Sequence, residues 1–199
     1  NATASGNNSF AVGNSLATGA YATAMGESTT ASGTNSTALG VFTTASSAYT
    51  TALGYSTTAS GNNSTAIGYG SIASGLNSVV MGNTLSASGL NSIAIGNAVA
   101  TASGESSLAT GSATNASGKY ATSTGYFATA KALGSFTIGR HKDNIDVPNP
   151  VVAALTDRIF QIGIGDGNPS TGKQNAITVL RNGSTGIGTF APIAKLDIS

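Results

Sequence analysis

A glycine recurs at every seventh position through the first two-thirds of the chain, a spacing that an ordinary globular core does not produce. The grid runs through Gly6, Gly13, Gly19, Gly26, Gly33, Gly40, Ser47, Gly54, Gly61, Gly68, Gly75, Gly82, Gly89, Gly96, Gly104, Gly111, Gly118 and Gly125. Seventeen of these eighteen positions are glycine, and sixteen carry alanine two residues earlier. The step shortens to six between Gly13 and Gly19 and lengthens to eight between Gly96 and Gly104. A short fixed period specifies a solenoid, in which each unit buries its face only against its neighbours.

Seven is also the coiled-coil heptad, so composition must decide between helix and strand. Each unit holds a glycine and is rich in Ser, Thr and Asn, all poor residues in a helix interior. Character alternates with period two ahead of each glycine, as in a strand. The position four before the glycine is small (Ser9, Ala22, Ser36, Thr50, Ser64, Ser78, Ser92) and the position two before is alanine. These two positions and the glycine share one strand face, which is expected to line the interior of a flattened coil too thin for large side chains.

The opposite face carries a second period. Immediately before alternate glycines stand Val12, Met25, Leu39, Leu53, Ile67, Met81 and Ile95, while the intervening glycines follow Ser or Thr. The full repeat is therefore fourteen residues, with two strands and two turns per coil. One strand shows an aliphatic outer face, widened by Phe10, Val79, Ile93 and Leu108, and such a stripe marks an interaction surface. Its regularity points to another copy of the same chain as the partner. Burial of seven aliphatic rows supplies on the order of 10–20 kcal/mol per chain, and the isolated monomer is expected to be unstable.

Strings such as NNSTAIGYGSIASG, LNSVVMGNTLSASG and LNSIAIGNAVATASG resemble the head repeats of YadA-type trimeric autotransporter adhesins. The resemblance covers about residues 1–125 and implies a left-handed parallel β-roll that forms a homotrimer. It further implies that Val12, Met25, Leu39, Leu53, Ile67, Met81 and Ile95 line the threefold axis. Phe10, Val79, Ile93 and Leu108 join them as expected trimer-interface residues. No neck motif, coiled-coil stalk or anchor-barrel sequence accompanies the repeats, so attachment through an autotransporter anchor is not read here.

Charge is distributed unevenly. Residues 1–118 hold only Glu27 and Glu105, whereas all eight basic residues lie at or beyond Lys119 and all four prolines at or beyond Pro148. The organisation expected is a roll over 1–125, a transition over 126–139 and a smaller C-terminal β domain over 140–199. In the last two coils of the roll the position before glycine turns polar at Thr110, Ser117 and Thr124, read as fraying towards the next domain in preference to a hydrated or ion-binding layer. A net charge of +1 gives no case for nucleic acid or anionic lipid. No signal peptide or membrane-inserting run is present, and absence of cysteine is compatible with an oxidising exterior. A first residue that is not methionine, together with the strand-like ending 194–199, is expected of a piece of something longer.

In the C-terminal segment, 158–165 and 176–180 read as strands and Arg181-Asn182-Gly183 as a turn, while 149–157 is compatible with either helix or strand. The stretch NAITVLRNGSTGIGTFAPIAKLDIS resembles a module of bacterial and phage trimeric fibre proteins. Gly167 to Lys173 has phosphate-loop spacing, but Gln174 replaces the hydroxyl residue and a strand follows, so a hairpin loop is expected. With one histidine and no cysteine, zinc and Cys/His chemistry within one chain are excluded. Asp143, Asn144 and Asp146 are read as a turn in preference to a calcium site.

No acid–base pair or partnered nucleophile is visible, no cofactor is called for, and the chain is not expected to be an enzyme. The reading is an extracellular or cell-surface trimeric adhesin or fibre fragment, with itself and an unknown surface glycan or protein ligand as partners. Arg140, His141, Lys142 and Asp143 are candidate ligand contacts, as the first dense polar cluster after an almost uncharged rod. A purely structural shaft of a phage-like fibre is the alternative. Ice binding is a remote one, since Leu16, Ile72 and Ser86 interrupt the threonine column Thr3, Thr30, Thr44, Thr58 and Thr101.

Overall fold

Alternation of alanine and outward residues becomes, in a computed structural model of the chain, a parallel β-solenoid in which residues 1–140, 147–165 and 175–199 are described. Among the described residues there is no helix. The chain divides into two units, Asn1–Val99 and Ala100–Ser199.

In the first unit the strands Phe10–Ala17, Thr23–Ala31, Thr37–Val41, Thr51–Tyr55, Thr65–Tyr69, Val79–Asn83 and Ile93–Asn97 form one parallel ladder. The registers Leu39↔Leu53 and Leu53↔Ile67 show the fourteen-residue step directly. Shorter strands, Thr44–Ala45, Thr58–Ala59, Ile72–Ala73 and Ser86–Ala87 among them, stack in a second ladder. Alanines from both ladders fill the interior, with Ala24, Ala38, Ala52 and Ala66 from one and Ala31, Ala45, Ala59 and Ala73 from the other fully buried. Small hydroxyl residues complete it: Ser36 Oγ donates to Gly33 O at 2.6 Å, and Ser64 Oγ donates to Ala73 O at 3.2 Å. The interior is not as restrictive as the pattern suggests. Val80 and Leu85 are both buried in it, and Leu85 occupies space beside Gly82 that a Cβ at Gly82 would claim.

The glycine grid has two physical origins. On the short ladder, Gly61 is buried with its missing Cβ aimed at the carbonyl oxygen of Gly75, one coil on. On the long ladder, Gly54 is only half-buried and adopts φ +127°, with its missing Cβ aimed at Gly68 O. Glycine there is not simply a third interior residue, as alternation implies, but the point where the strand leaves its pleat for the corner. Two residues after most grid positions the chain turns through the left-handed region, as at Asn35 (φ 55°), Phe42 (φ 56°), Ser56 (φ 53°) and Asn63 (φ 57°). The turn closes with a bond such as Ser64 N–H to Gly61 O, 3.1 Å.

These corners absorb the irregular steps. The six-residue step is taken up by the eight-residue strand Phe10–Ala17, which runs through the place of a corner with a register shift between Asn14 and Ser15. The extra residue after Gly96 gives a corner with two successive left-handed residues, Ala98 (φ 52°) and Val99 (φ 60°). For a β-branched residue that conformation costs about 1–2 kcal/mol.

In the second unit the ladder Leu108–Ser112, Thr122–Tyr126, Phe136–Arg140 continues in fourteen-residue register. Residues 126–139, expected to be a transition, hold Thr129–Ala130, paired with Asn115–Ala116, and the start of Phe136–Arg140, paired with Thr122–Tyr126. Arg158–Ile164 then adds a further parallel strand, pairing Phe136↔Phe160 and Gly139↔Gly163. Ring stacking of Phe136 on Phe160 (centroids 5.9 Å apart, 8° between planes) accompanies that step. The solenoid pattern ends where Asn175–Leu180 pairs antiparallel with Arg158–Ile164. Thr185–Ile187 and Leu196–Ile198 follow. Described residues of 149–157 form bends and a turn, neither helix nor strand, with Asn149 Oδ1 accepting from Val151 N and Val152 N at 3.0 Å.

Candidate interaction surface

Strand alternation leaves the residue before each long-ladder glycine pointing away from the interior. The parallel registers stack these residues directly: Val12↔Met25↔Leu39↔Leu53↔Ile67↔Met81↔Ile95. Val12, Met25, Leu53, Met81 and Ile95 are exposed by about two-fifths (39–44%), and Leu39 and Ile67 are half-buried. Flanking them, Phe10↔Thr23↔Thr37↔Thr51↔Thr65↔Val79↔Ile93 forms a second column that is apolar only at its ends. Phe10 is 53% exposed, while Val79 and Ile93 are half-buried. Coil neighbours already cover part of every row, so further burial has roughly half the full transfer energy left to gain, about 5–10 kcal/mol over seven rows.

In the second unit the corresponding rows read Leu108↔Thr122↔Phe136↔Phe160 and Thr110↔Thr124↔Ile138↔Ile162. Leu108 is half-buried. Thr110 Oγ1 and Thr124 Oγ1 hydrogen-bond to each other at 2.9 Å, which satisfies the two hydroxyls locally before the face turns apolar again at Ile138.

Aromatic residues form a further column that residue spacing alone did not single out. One position after the long-ladder glycines, Tyr55 and Tyr69 stack with centroids 5.0 Å apart and 6° between planes. The Phe42 ring meets Tyr55 edge-on at 5.8 Å. The available signal was Val41, Tyr55 and Tyr69 at one phase of the fourteen-residue repeat.

The charged residues are placed only in part. Arg140 ends the strand Phe136–Arg140, exposed, with its guanidinium 5.5 Å from the Tyr126 ring centroid. His141, Lys142 and Asp143 lie outside the described residues, as do Asn144, Asp146 and the loop 167–173. Lys119 Nζ meets Glu105 at 2.7 Å one coil away, and this hydrogen bond raises the lysine pKa. Arg181 pairs with the buried Asp157 at 3.5 Å and donates to Leu133 O, while Asp157 Oδ2 accepts from Ala154 N at 2.8 Å. A buried amide cluster lies nearby, in which Asn175 Nδ2 donates to Gln161 Oε1 and Thr178 Oγ1, both at 3.0 Å.

Among the described residues no three acidic, histidine or cysteine side chains converge as metal ligands, and no helix is long and apolar enough to cross a membrane. Residues 1–15, 17–43, 45–71, 73–98, 102–128 and 116–139 match the YadA head domain repeat. No curated protein matches the chain.

Proposed function

The chain belongs to the YadA head-repeat family, and from that membership and its in-register apolar column we propose that it forms the head of an extracellular, adhesin-type homotrimeric fibre. Three copies meet about a common axis through Val12, Met25, Leu39, Leu53, Ile67, Met81 and Ile95, flanked by Phe10, Val79, Ile93 and Leu108. The observation that carries this reading is the unbroken stacking of seven exposed or half-exposed aliphatic residues in register. A face so uniform along its length matches a second copy of itself better than an unrelated partner. The role is binding, not catalysis, and the setting is the cell surface. A plain shaft remains the second reading, favoured by the near absence of charge from residues 1–118.

Residues 140–199 form a C-terminal fibre module in this proposal, and Arg140, His141, Lys142 and Asp143 are its charged contact for a ligand. Alanine at all four positions is expected to lower adhesion without changing oligomeric state; unchanged adhesion removes the cluster from the proposal.

Light scattering tests the assembly. Wild type is expected at three times the chain mass, and Leu53→Asp/Ile67→Asp is expected to lose that state. A wild-type protein that is folded and monomeric would overturn the trimer.

A further inference from the structure

The left-handed corner opposite the aromatic column has two occupants of different kinds. At Asn63, Asn77 and Asn91 the side chains form an amide ladder: Asn63 Nδ2 donates to Asn77 Oδ1 at 3.0 Å, and Asn77 Nδ2 to Asn91 Oδ1 at 2.9 Å. Earlier in the same column stand Tyr21 (φ 57°), Asn35 (φ 55°) and Tyr49 (φ 59°). Asparagine tolerates this conformation through its own short polar side chain, whereas tyrosine gains nothing locally from it. Both rings are largely exposed, Tyr21 at 57% and Tyr49 at 63%, and Asn35 is exposed between them. Among the described residues none of the three side chains has a hydrogen-bond, ring or cation partner, unlike Tyr55, Tyr69, Tyr120 and Tyr126.

We propose that Tyr21, Asn35 and Tyr49 form a binding platform for a neutral, extended β-linked oligosaccharide. The two corners lie two strand spacings apart, roughly 9.6 Å, close to the span of two consecutive β-linked pyranose units. Sugar C–H faces lie against the rings, which present large rigid contact area at little cost in side-chain entropy. The Asn35 amide, a double donor and an acceptor, meets hydroxyls between them.

Charge and backbone bonding narrow the ligand class. Glu27 is the only charged side chain before residue 100 and lies at the other corner of its coil, so nothing here selects a sulfated or other ionic ligand. The corner amides are already used, with Tyr21 N donating to Asn7 O (2.8 Å), Asn35 N to Ala20 O (2.9 Å) and Tyr49 N to Thr34 O (2.9 Å). A polypeptide therefore finds no free edge to extend as a strand. The platform lies within one chain. It deepens the adhesive reading above without resting on the trimer, and the light-scattering result and the result below can fail separately.

Saturation-transfer NMR on the whole chain tests it, with tetrasaccharides of β-1,4-linked N-acetylglucosamine, β-1,4-linked glucose and β-1,3-linked glucose as probes. Transfer to at least one is expected. Tyr21→Asn/Tyr49→Asn substitutes the residue this corner favours, so the fold is retained or gains stability by circular dichroism while affinity falls about tenfold or more. Tyr120→Asn, at a left-handed corner of the second unit, is expected to bind as wild type does. No transfer from any probe, an undiminished signal in the double variant, or an equal loss in Tyr120→Asn would each overturn the proposal. Binding of unfolded gelatin through Tyr21 and Tyr49, with none of the sugars, would overturn it in favour of a peptide site.

Discussion

At the corners of the coils single residues carry conformations that the rest of the unit depends on. Gly54 combines φ +127° with a missing Cβ that would overlap Gly68 O, so Gly54→Ala faces backbone strain and a clash with main chain that cannot rotate away. A loss of about 3 kcal/mol or more is expected, read as a lower urea midpoint. Ser47 shows that the grid is not uniform. It occupies a glycine position of the short ladder and donates from Oγ to Ser60 O at 2.6 Å. Seventeen glycines at eighteen points could be read as one requirement, but the two classes differ by φ, which composition does not encode.

For whole strands, the sequence carried the repeat well because its constraint is local. Each coil buries alanine at fixed spacing, and any slip would turn Leu39 or Leu53 inward where Ala38 and Ala52 fit. The same reasoning missed Arg158–Ile164, legible as a strand but not as the next rung after Phe136–Arg140. Its pairing spans a twenty-four-residue step, from Phe136 to Phe160, and residues between supply no glycine phase. The polar side chains around it were equally hidden, since Asp157 and Gln161 look like surface residues until Arg181 and Asn175 return from far along the chain. Arg181→Ala strands a buried carboxylate and frees Leu133 O. A cost of about 1–3 kcal/mol is expected, measured as lost hydrogen-exchange protection in Phe136–Arg140 and Arg158–Ile164. The exposed apolar column was legible residue by residue, whereas the Tyr21–Asn35–Tyr49 platform emerges only once backbone angles and missing partners are known.

For the molecule as a whole, charge separates the two ends of the sequence. Residues 1–118 carry only Glu27 and Glu105, and the basic residues begin at Lys119. An association carried by Met25, Leu53 and Ile67 has no ionic contribution for salt to screen. Raising sodium chloride from about 0.1 to 1 M, which shortens the Debye length from roughly 10 to 3 Å, is expected to leave the mass of the proposed trimer unchanged by light scattering. Dissociation over that range would assign the assembly to the charged residues from Lys119 onward.

The corner geometry also bears on chemical ageing. Asn35, Asn63, Asn77 and Asn91 each precede serine, a pairing prone to succinimide formation when the serine amide can attack the asparagine side chain. Here every such amide is held by a carbonyl: Ser36 by Gly33, Ser64 by Gly61, Ser78 by Gly75 and Ser92 by Gly89, at 3.1–3.3 Å. The folded chain should keep these asparagines intact for long periods at alkaline pH, and the urea-unfolded chain should deamidate at them, as read by peptide mass mapping. Equal rates in both states would show that the corners give no protection. The hydrogen bond that closes each coil thus also sets how long its asparagine lasts.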